Sequence, residues 1–265
     1  MSYFLIPLLF LCIYAAKIYA VEPAVKVTPA KTKILIDGKL NPEEWKDAAE
    51  ISLDKGFLGA APAETGKRQV TKVKLHWDKN WLFIAFICRD NNIVSAGKKH
   101  DDNVYLGDAC EVFLDQTGDG RQYFEIQVSP DNVVMDINFV YSGNPQFDQT
   151  GRFLKFNNLW RFRSWNMSGL KTATGRIKEQ EKNVGWAVEM AIPARQIMRR
   201  EKKKYLSPGE LRANFVRYEW QTVNGEKVLV PSLWSPTTHG NPHTSPGAMG
   251  RLRLIAADKI KTGSR

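Results

Sequence analysis

Apolar and polar residues alternate with a period of two along most of this chain. The stretches 70–78 (VTKVKLHWD), 81–90 (WLFIAFICRD), 109–116 (ACEVFLDQ), 121–129 (RQYFEIQVS), 133–140 (VVMDINFV), 185–193 (GWAVEMAIP), 212–221 (RANFVRYEWQ) and 250–255 (GRLRLI) alternate or run apolar. They are rich in β-branched and aromatic residues, and the pattern predicts strands. Asp78-Lys79-Asn80, Gly118-Asp119-Gly120, Ser129-Pro130-Asp131-Asn132 and Asn224-Gly225 supply turns between them. Many strands at hairpin spacing and little helix predict an all-β fold, an antiparallel β-sandwich of jelly-roll-like kind. One or two short helices are expected. Asn41-Pro42-Glu43-Glu44 offers an N-cap, a proline at the first helical position and a glutamate at the third. Trp45 and Ala48 then share an apolar face, and Trp45 is expected to plug the sandwich edge. PARQIMRREKKK, from Pro193, reads as a basic surface turn of helix.

The first twenty residues break the period. An apolar run from Phe4 to Ala16 is too short to span a bilayer comfortably, and a small residue stands at its polar exit. We expect residues 1–20 to be a signal peptide cleaved near Ala20, the alternative being a retained anchor. Export would make the protein secreted, extracellular or periplasmic. A lipoprotein at Cys12 is set aside because Leu11 stands where a small residue is needed. Residues 21–265 show no internal repeat and no linker, and are expected to form a single domain with a basic tail at about 257–265.

Composition changes this picture little. The formal net charge is +10, and +9 once Lys17 leaves with the signal. Much of the excess lies in the run Arg199, Arg200, Lys202, Lys203 and Lys204 and in the tail, which reads as solvated surface. With no nucleic-acid-binding motif beside it, this charge does not point to nucleic acid. Cys88 and Cys110 both fall in apolar strand patterns, so a disulfide and a pair of buried thiols are both open. No CxxC or Cys/His spacing suggests zinc.

The densest chemistry lies in GDACEVFLDQTGDGRQYFEIQVSP, 107–130. Asp115, Thr117, Asp119 and Gly120 match the first half of an EF-hand loop, but position 12 is Ile126, and 121–129 alternates as a strand. Gly118-Asp119-Gly120 is therefore expected to be a hairpin tip. Strand parity then puts Cys110, Val112 and Leu114 with Phe124, Ile126 and Val128 in the core. Glu111, Phe113, Tyr123, Glu125 and Gln127 are left together on the outer face. Carboxylates, an amide and aromatic rings on one face suit sugar hydroxyls, although a merely solvated sheet face has the same pattern. Glu111 and Glu125 are also spaced as a glycosidase pair would be. In 233–254 three prolines and three glycines predict a long ordered loop, where His239 and His243 lack the helix that would make them a metal pair.

The segments IDGKLNPEEWKDA (36–48), VKLHWDKNWLFIAFICRD (73–90), DACEVFLD (108–115), YFEIQVSPDN (123–132), GWAVEMAIP (185–193), RANFVRYE (212–219) and WSPT…MGRLRL (234–254) form an ordered set. This set resembles the family 9 carbohydrate-binding modules and the wider family-9-like group. The resemblance implies a β-sandwich that binds sugar chains without chemistry of its own, often with structural calcium. It implies that Glu111, in Asp-x-x-Glu-x-Phe, contacts sugar. It places a second polar contact at Glu125, where characterised modules have arginine. The two stacking positions fall at Tyr105 and, by spacing back from Gly250, at His243, with Gln127 and Asn241 as further hydrogen-bonding groups. Two other readings remain: a b-type haem sandwich using Met135, Met249, His239 or His243, and a glycoside-processing enzyme using Glu111 and Glu125.

Overall fold

The computed structural model describes residues 22–57, 66–149, 151–237 and 240–257. The expected signal segment and nearly all of the basic tail lie outside these residues, as does His239. Two sheets face each other. The first takes β2 (Ala49–Ser52), β3 (Thr71–Trp77), β4 (Trp81–Arg89), β10 (Lys182–Pro193) and β9 (Lys171–Glu179) in that order. The second takes β1 (Ala24–Val27), β13 (Gly250–Leu254), β11 (Gly209–Val223), β5 (Ala109–Asp115), β6 (Gln122–Val128), β7 (Val134–Phe147) and β8 (Phe153–Phe162), with β12 (Glu226–Leu233) also on β11. Neighbouring strands are antiparallel except β1 and β13, which pair in parallel. Among the described residues no helix is long and apolar enough to cross a membrane.

The alternation in β5 and β6 sets the main core. Cys110, Val112, Leu114, Phe124, Ile126 and Val128 point inward against Val73, Leu75, Ile84, Phe86, Trp186 and Val188 of the first sheet. Cys88 and Cys110 meet there as buried thiols, their Sγ atoms 3.5 Å apart. The hairpin tip is closed by Asp115, whose carboxylate accepts the backbone N–H groups of Thr117, Gly118 and Gly120. Arg200 forks onto Asp119 at 2.8 and 2.9 Å, so part of the basic run neutralises the tip.

Strand β11 is the junction of its sheet. One flank pairs with β5 over Arg212–Tyr218, while the other pairs first with β13 and then, from Val216, with β12. β11 and β12 meet across Asn224 and Gly225, at φ 53° and 85°, the left-handed pair that a two-residue hairpin requires.

Four expectations need correction. Residues 41–48 form hydrogen-bonded turns, not a helix: Asn41 carbonyl accepts from Glu44 and Trp45, and the Glu44 side chain turns back to Leu35 N–H at 2.8 Å. Trp45 does not plug the edge. It lies buried on the outer face of the first sheet with Ile34, Phe83 and Ala191, and its indole N–H donates to Glu189 Oε1 at 2.9 Å. The helix after Pro193 forms as Ala194–Ile197, but it buries Ala194 and Ile197 and is not wholly a surface turn. The largest correction concerns the second sheet: every residue of β5 is buried, so its second face is covered rather than solvated.

Candidate functional site

The covered face is built in cross-strand tiers. Val216, Glu111, Gln127 and Met135 form one row across β11, β5, β6 and β7, and Asn214, Phe113, Glu125 and Ile137 form the next. Tyr123, Phe139 and Arg161 form a third, with Tyr123 stacked on Phe139 at 4.9 Å. The aromatics and aliphatics of these rows make a second apolar cluster. The face that parity assigned to solvent is thus a second core, broken by polar side chains that include Glu111, Glu125, Gln127 and Asn214.

A loop and a turn roof this face. The loop after β12 is anchored by Asn214, whose side-chain amide accepts from Ser235 N–H and donates to its carbonyl. Further along, the hydroxyls of Tyr123 and Tyr141 both donate to the His243 carbonyl. The imidazole of His243 lies nearly parallel to Phe139, at 6.2 Å and 14°. Opposite, the turn Val104–Leu106 presents Tyr105, whose carbonyl accepts the Trp220 indole N–H at 2.9 Å. Asp108 secures that turn by accepting Val94 N–H and Trp220 N–H, each at 2.7 Å. Gly107 is required there, because a Cβ would lie 2.6 Å from the Val94 carbonyl oxygen.

Between loop and turn lies an open cleft of about 390 Å³, within the range of small-ligand sites. Of the six residues singled out from the sequence, Tyr105, Glu125, Gln127, Asn241 and His243 line it. Glu111 does not. It sits directly across from Gln127 in the same row, only 1% exposed. The sequence reading overlooked Tyr218, Trp220, Arg161 and Arg163, which also line the cleft. Parity in RANFVRYEWQ carries a signal for the first two, since Val216, Tyr218 and Trp220 alternate on the Glu111 side. The arginines had none, because the strand that delivers them, β8, is not patterned as a strand.

Burial dominates the electrostatics. It raises Glu125 to about 7, against the opposing effects of the Gln127 hydrogen bond and the charges of Arg161 and Arg163. Burial, and then the Glu125 charge, push Glu111 well above the ordinary carboxylate range. Gln127 Nε2 donates to Glu125 Oε1 at 2.5 Å, while Gln127 Oε1 and Glu111 Oε1 have no hydrogen-bond partner among the described residues. A proton kept on Glu111 turns one of these facing acceptors into a donor, which is the arrangement its raised pKa favours. Burial, and then Arg161, lower His243 to about 4, so its ring is neutral near pH 7. The cleft therefore offers aromatic walls, a carboxyl group poised between its two states, a neutral imidazole and two guanidinium groups. Of the four expected haem ligands, Met135 and His243 line the cleft, Met249 is buried in the second apolar cluster, and His239 is outside the described residues.

A family model described as "Carbohydrate family 9 binding domain-like" matches residues 36–256. The chain belongs to this family. The family-9-like chain is 25% identical over 221 residues to endo-1,4-beta-xylanase A of Thermotoga maritima, covering 83% of this chain and 17% of that protein. It is 26% identical over 180 residues to exoglucanase XynX of Acetivibrio thermocellus, covering 68% of this chain and 13% of the other. It thus spans well under a fifth of either enzyme's length. Among solved structures, a carbohydrate binding module family 9 from Caldicellulosiruptor kristjanssonii in complex with cellotriose superposes with a TM-score of 0.59 at 17% identity. That match covers 92% of this chain and 99% of the module, and it shows a shared fold.

Proposed function

We propose that this family-9-like domain is an exported, non-catalytic carbohydrate-binding protein that holds an oligo- or polysaccharide in the cleft of its second sheet. The observation that carries the reading is the lining itself. Tyr105, Tyr218 and Trp220 supply flat apolar surface, and Glu125, Gln127, Arg161 and Asn241 supply acceptors and donors at its edge. Sugar rings need both, an apolar platform for their C–H faces and bidentate polar groups for their hydroxyls. The positive charge that the family resemblance puts where Glu125 stands is here brought in by Arg161 of β8, two strands away, and by Arg163 just after it. Cellotriose bound to the related module makes β-linked glucose oligomers the first ligands to try. The amino-terminal apolar run supports export.

Binding is favoured over glycoside cleavage because, among the described residues, Glu125 is the only carboxylate lining the cleft. Hydrolysis calls for two carboxyl groups flanking one bond, and Glu111 does not line the cleft. Calorimetric titration with cellotriose, backed by a glycan array, tests the proposal. Trp220→Ala and Tyr105→Ala should each weaken binding at least tenfold, about 1.4 kcal/mol. Glu111→Gln should leave affinity within a few-fold, since it keeps the buried layer without touching ligand. Affinity that survives both aromatic substitutions would move the site elsewhere, and an array with no bound glycan would end the reading.

A further inference from the structure

On the opposite face of β7 from the cleft, four side chains converge from three parts of the chain. His100 and Asp101 come from the loop that carries Tyr105, Asp136 from β7, and Asn166 from the segment after β8. His100 Nε2 lies 2.6 Å from Asn166 Oδ1, 2.9 Å from Asp136 Oδ1 and 3.5 Å from Asp101 Oδ1. One ring nitrogen carries at most one hydrogen and cannot satisfy three oxygens. Among the described residues, buried Asp136 Oδ1 and Asp101 Oδ1 have no hydrogen-bond partner beyond this one crowded His100 nitrogen, and the Asp136 side chain is only 1% exposed. Its other oxygen is already used by the Met167 N–H. Buried carboxylate oxygens without donors are costly unless a cation meets them.

We propose that His100, Asp101 and Asp136, with Asn166, form a binding site for a divalent transition metal of the zinc class. The ligand atoms of His100, Asp101 and Asp136 lie within 4.8 Å of one another. Zinc bonds of about 2.0–2.2 Å separate tetrahedral ligands by roughly 3.4 Å, so only small adjustments close the site. Two carboxylates neutralise the dication. The imidazole selects against calcium and magnesium, which prefer oxygen alone. His100 is half-exposed and gives the ion an entry path. The metal would clip the Tyr105 loop to β7 and to the segment before β9. This assignment is independent of the carbohydrate reading.

The test uses untagged protein stripped with chelator, titrated with zinc chloride by calorimetry and with cobalt(II) by visible absorption. One zinc per chain should bind and raise the thermal midpoint. His100→Gln and Asp136→Asn should each weaken zinc by at least about tenfold, with the cobalt spectrum lost. Far-UV circular dichroism checks the fold, and the exposed His100 variant decides if Asp136→Asn fails to fold. Absence of stoichiometric zinc binding, binding unchanged in His100→Gln, or calcium binding more tightly than zinc would each overturn the assignment.

Discussion

The two faces of the β5–β6 hairpin are buried almost equally and are built on different terms. Ile126 on the inner face is 0% exposed and Glu125 on the other is 2%. The inner side chains of the hairpin are apolar and pack against another sheet, and their stability comes from area removed from water and from close packing. The second face meets a loop and a turn, and it keeps carboxyl groups whose protons the fold must hold. Equal burial thus hides two kinds of stability: one nearly indifferent to pH, the other tied to it.

The sharpest way to separate the faces is to hollow out the inner one. Phe86 is fully buried against Phe215, and Phe86→Ala should cost about 3–5 kcal/mol in urea unfolding, with no dependence on pH. A loss below about 1 kcal/mol would mean that the inner face is not the main source of stability.

The second face should reveal itself through protons. Glu125 keeps its proton in the native state up to about 7, whereas an unfolded glutamate loses it near its ordinary 4.5. Stability contributed by that proton is complete below the unfolded value and falls as pH rises towards the folded one, by at most about 1.4 kcal/mol per pH unit. Glu111 acts in the same direction. His243 acts oppositely: neutral in the native state down to about 4, it costs stability as pH falls from its ordinary 6.5. Urea midpoints should therefore decline from about pH 6.5 to about pH 7.5, and Glu125→Gln should make that decline shallower, with Glu111 and Asp108, which burial raises to about 7, sustaining the rest. An unchanged slope in the variant would mean that the carboxyl group is ionised throughout.

A smaller effect is expected at the rim. Asn224 holds the left-handed turn between β11 and β12, and β12 supplies Leu229 to the cleft. Asn224→Ala should cost about 1 kcal/mol, with cellotriose affinity unchanged. Lost affinity would show that the hairpin tip positions the cleft.

Much of this contrast was readable in the residues, up to a definite limit. Alternation in ACEVFLDQ and RQYFEIQVS separated Cys110, Val112 and Ile126 from Glu111, Glu125 and Gln127 onto opposite faces, because side chains in a strand must alternate. Alternation reports which residues share a face, not what covers it. Half of the roof comes from residues more than a hundred positions away, Asn241 and His243, which share the cleft with Glu125, and no local period encodes that distance. Strand β8 escaped because NNLWRF mixes amides, an arginine and rings on an exposed edge, with Trp160 and Phe162 both open to solvent. Arg161 and Arg163 were lost with it. Trp45 was correctly marked as buried, but its partner Glu189, 144 residues away, decided which surface it covers.

The parallel pairing of β1 with β13 has a consequence for how the protein is made. Ala24 lies beside Arg251 and Val27 beside Leu254, so the earliest strand of the sheet has only the last one as its partner there. A chain that emerges from one end cannot complete this sheet until residue 254 is out. Until then β1 waits with its backbone groups unpaired, an edge open to other chains. Synthesis that stalls before Gly250 would leave β11 without β13 and β1 without any strand in its sheet. Quality control would therefore see a truncated product as unfinished at both of its ends.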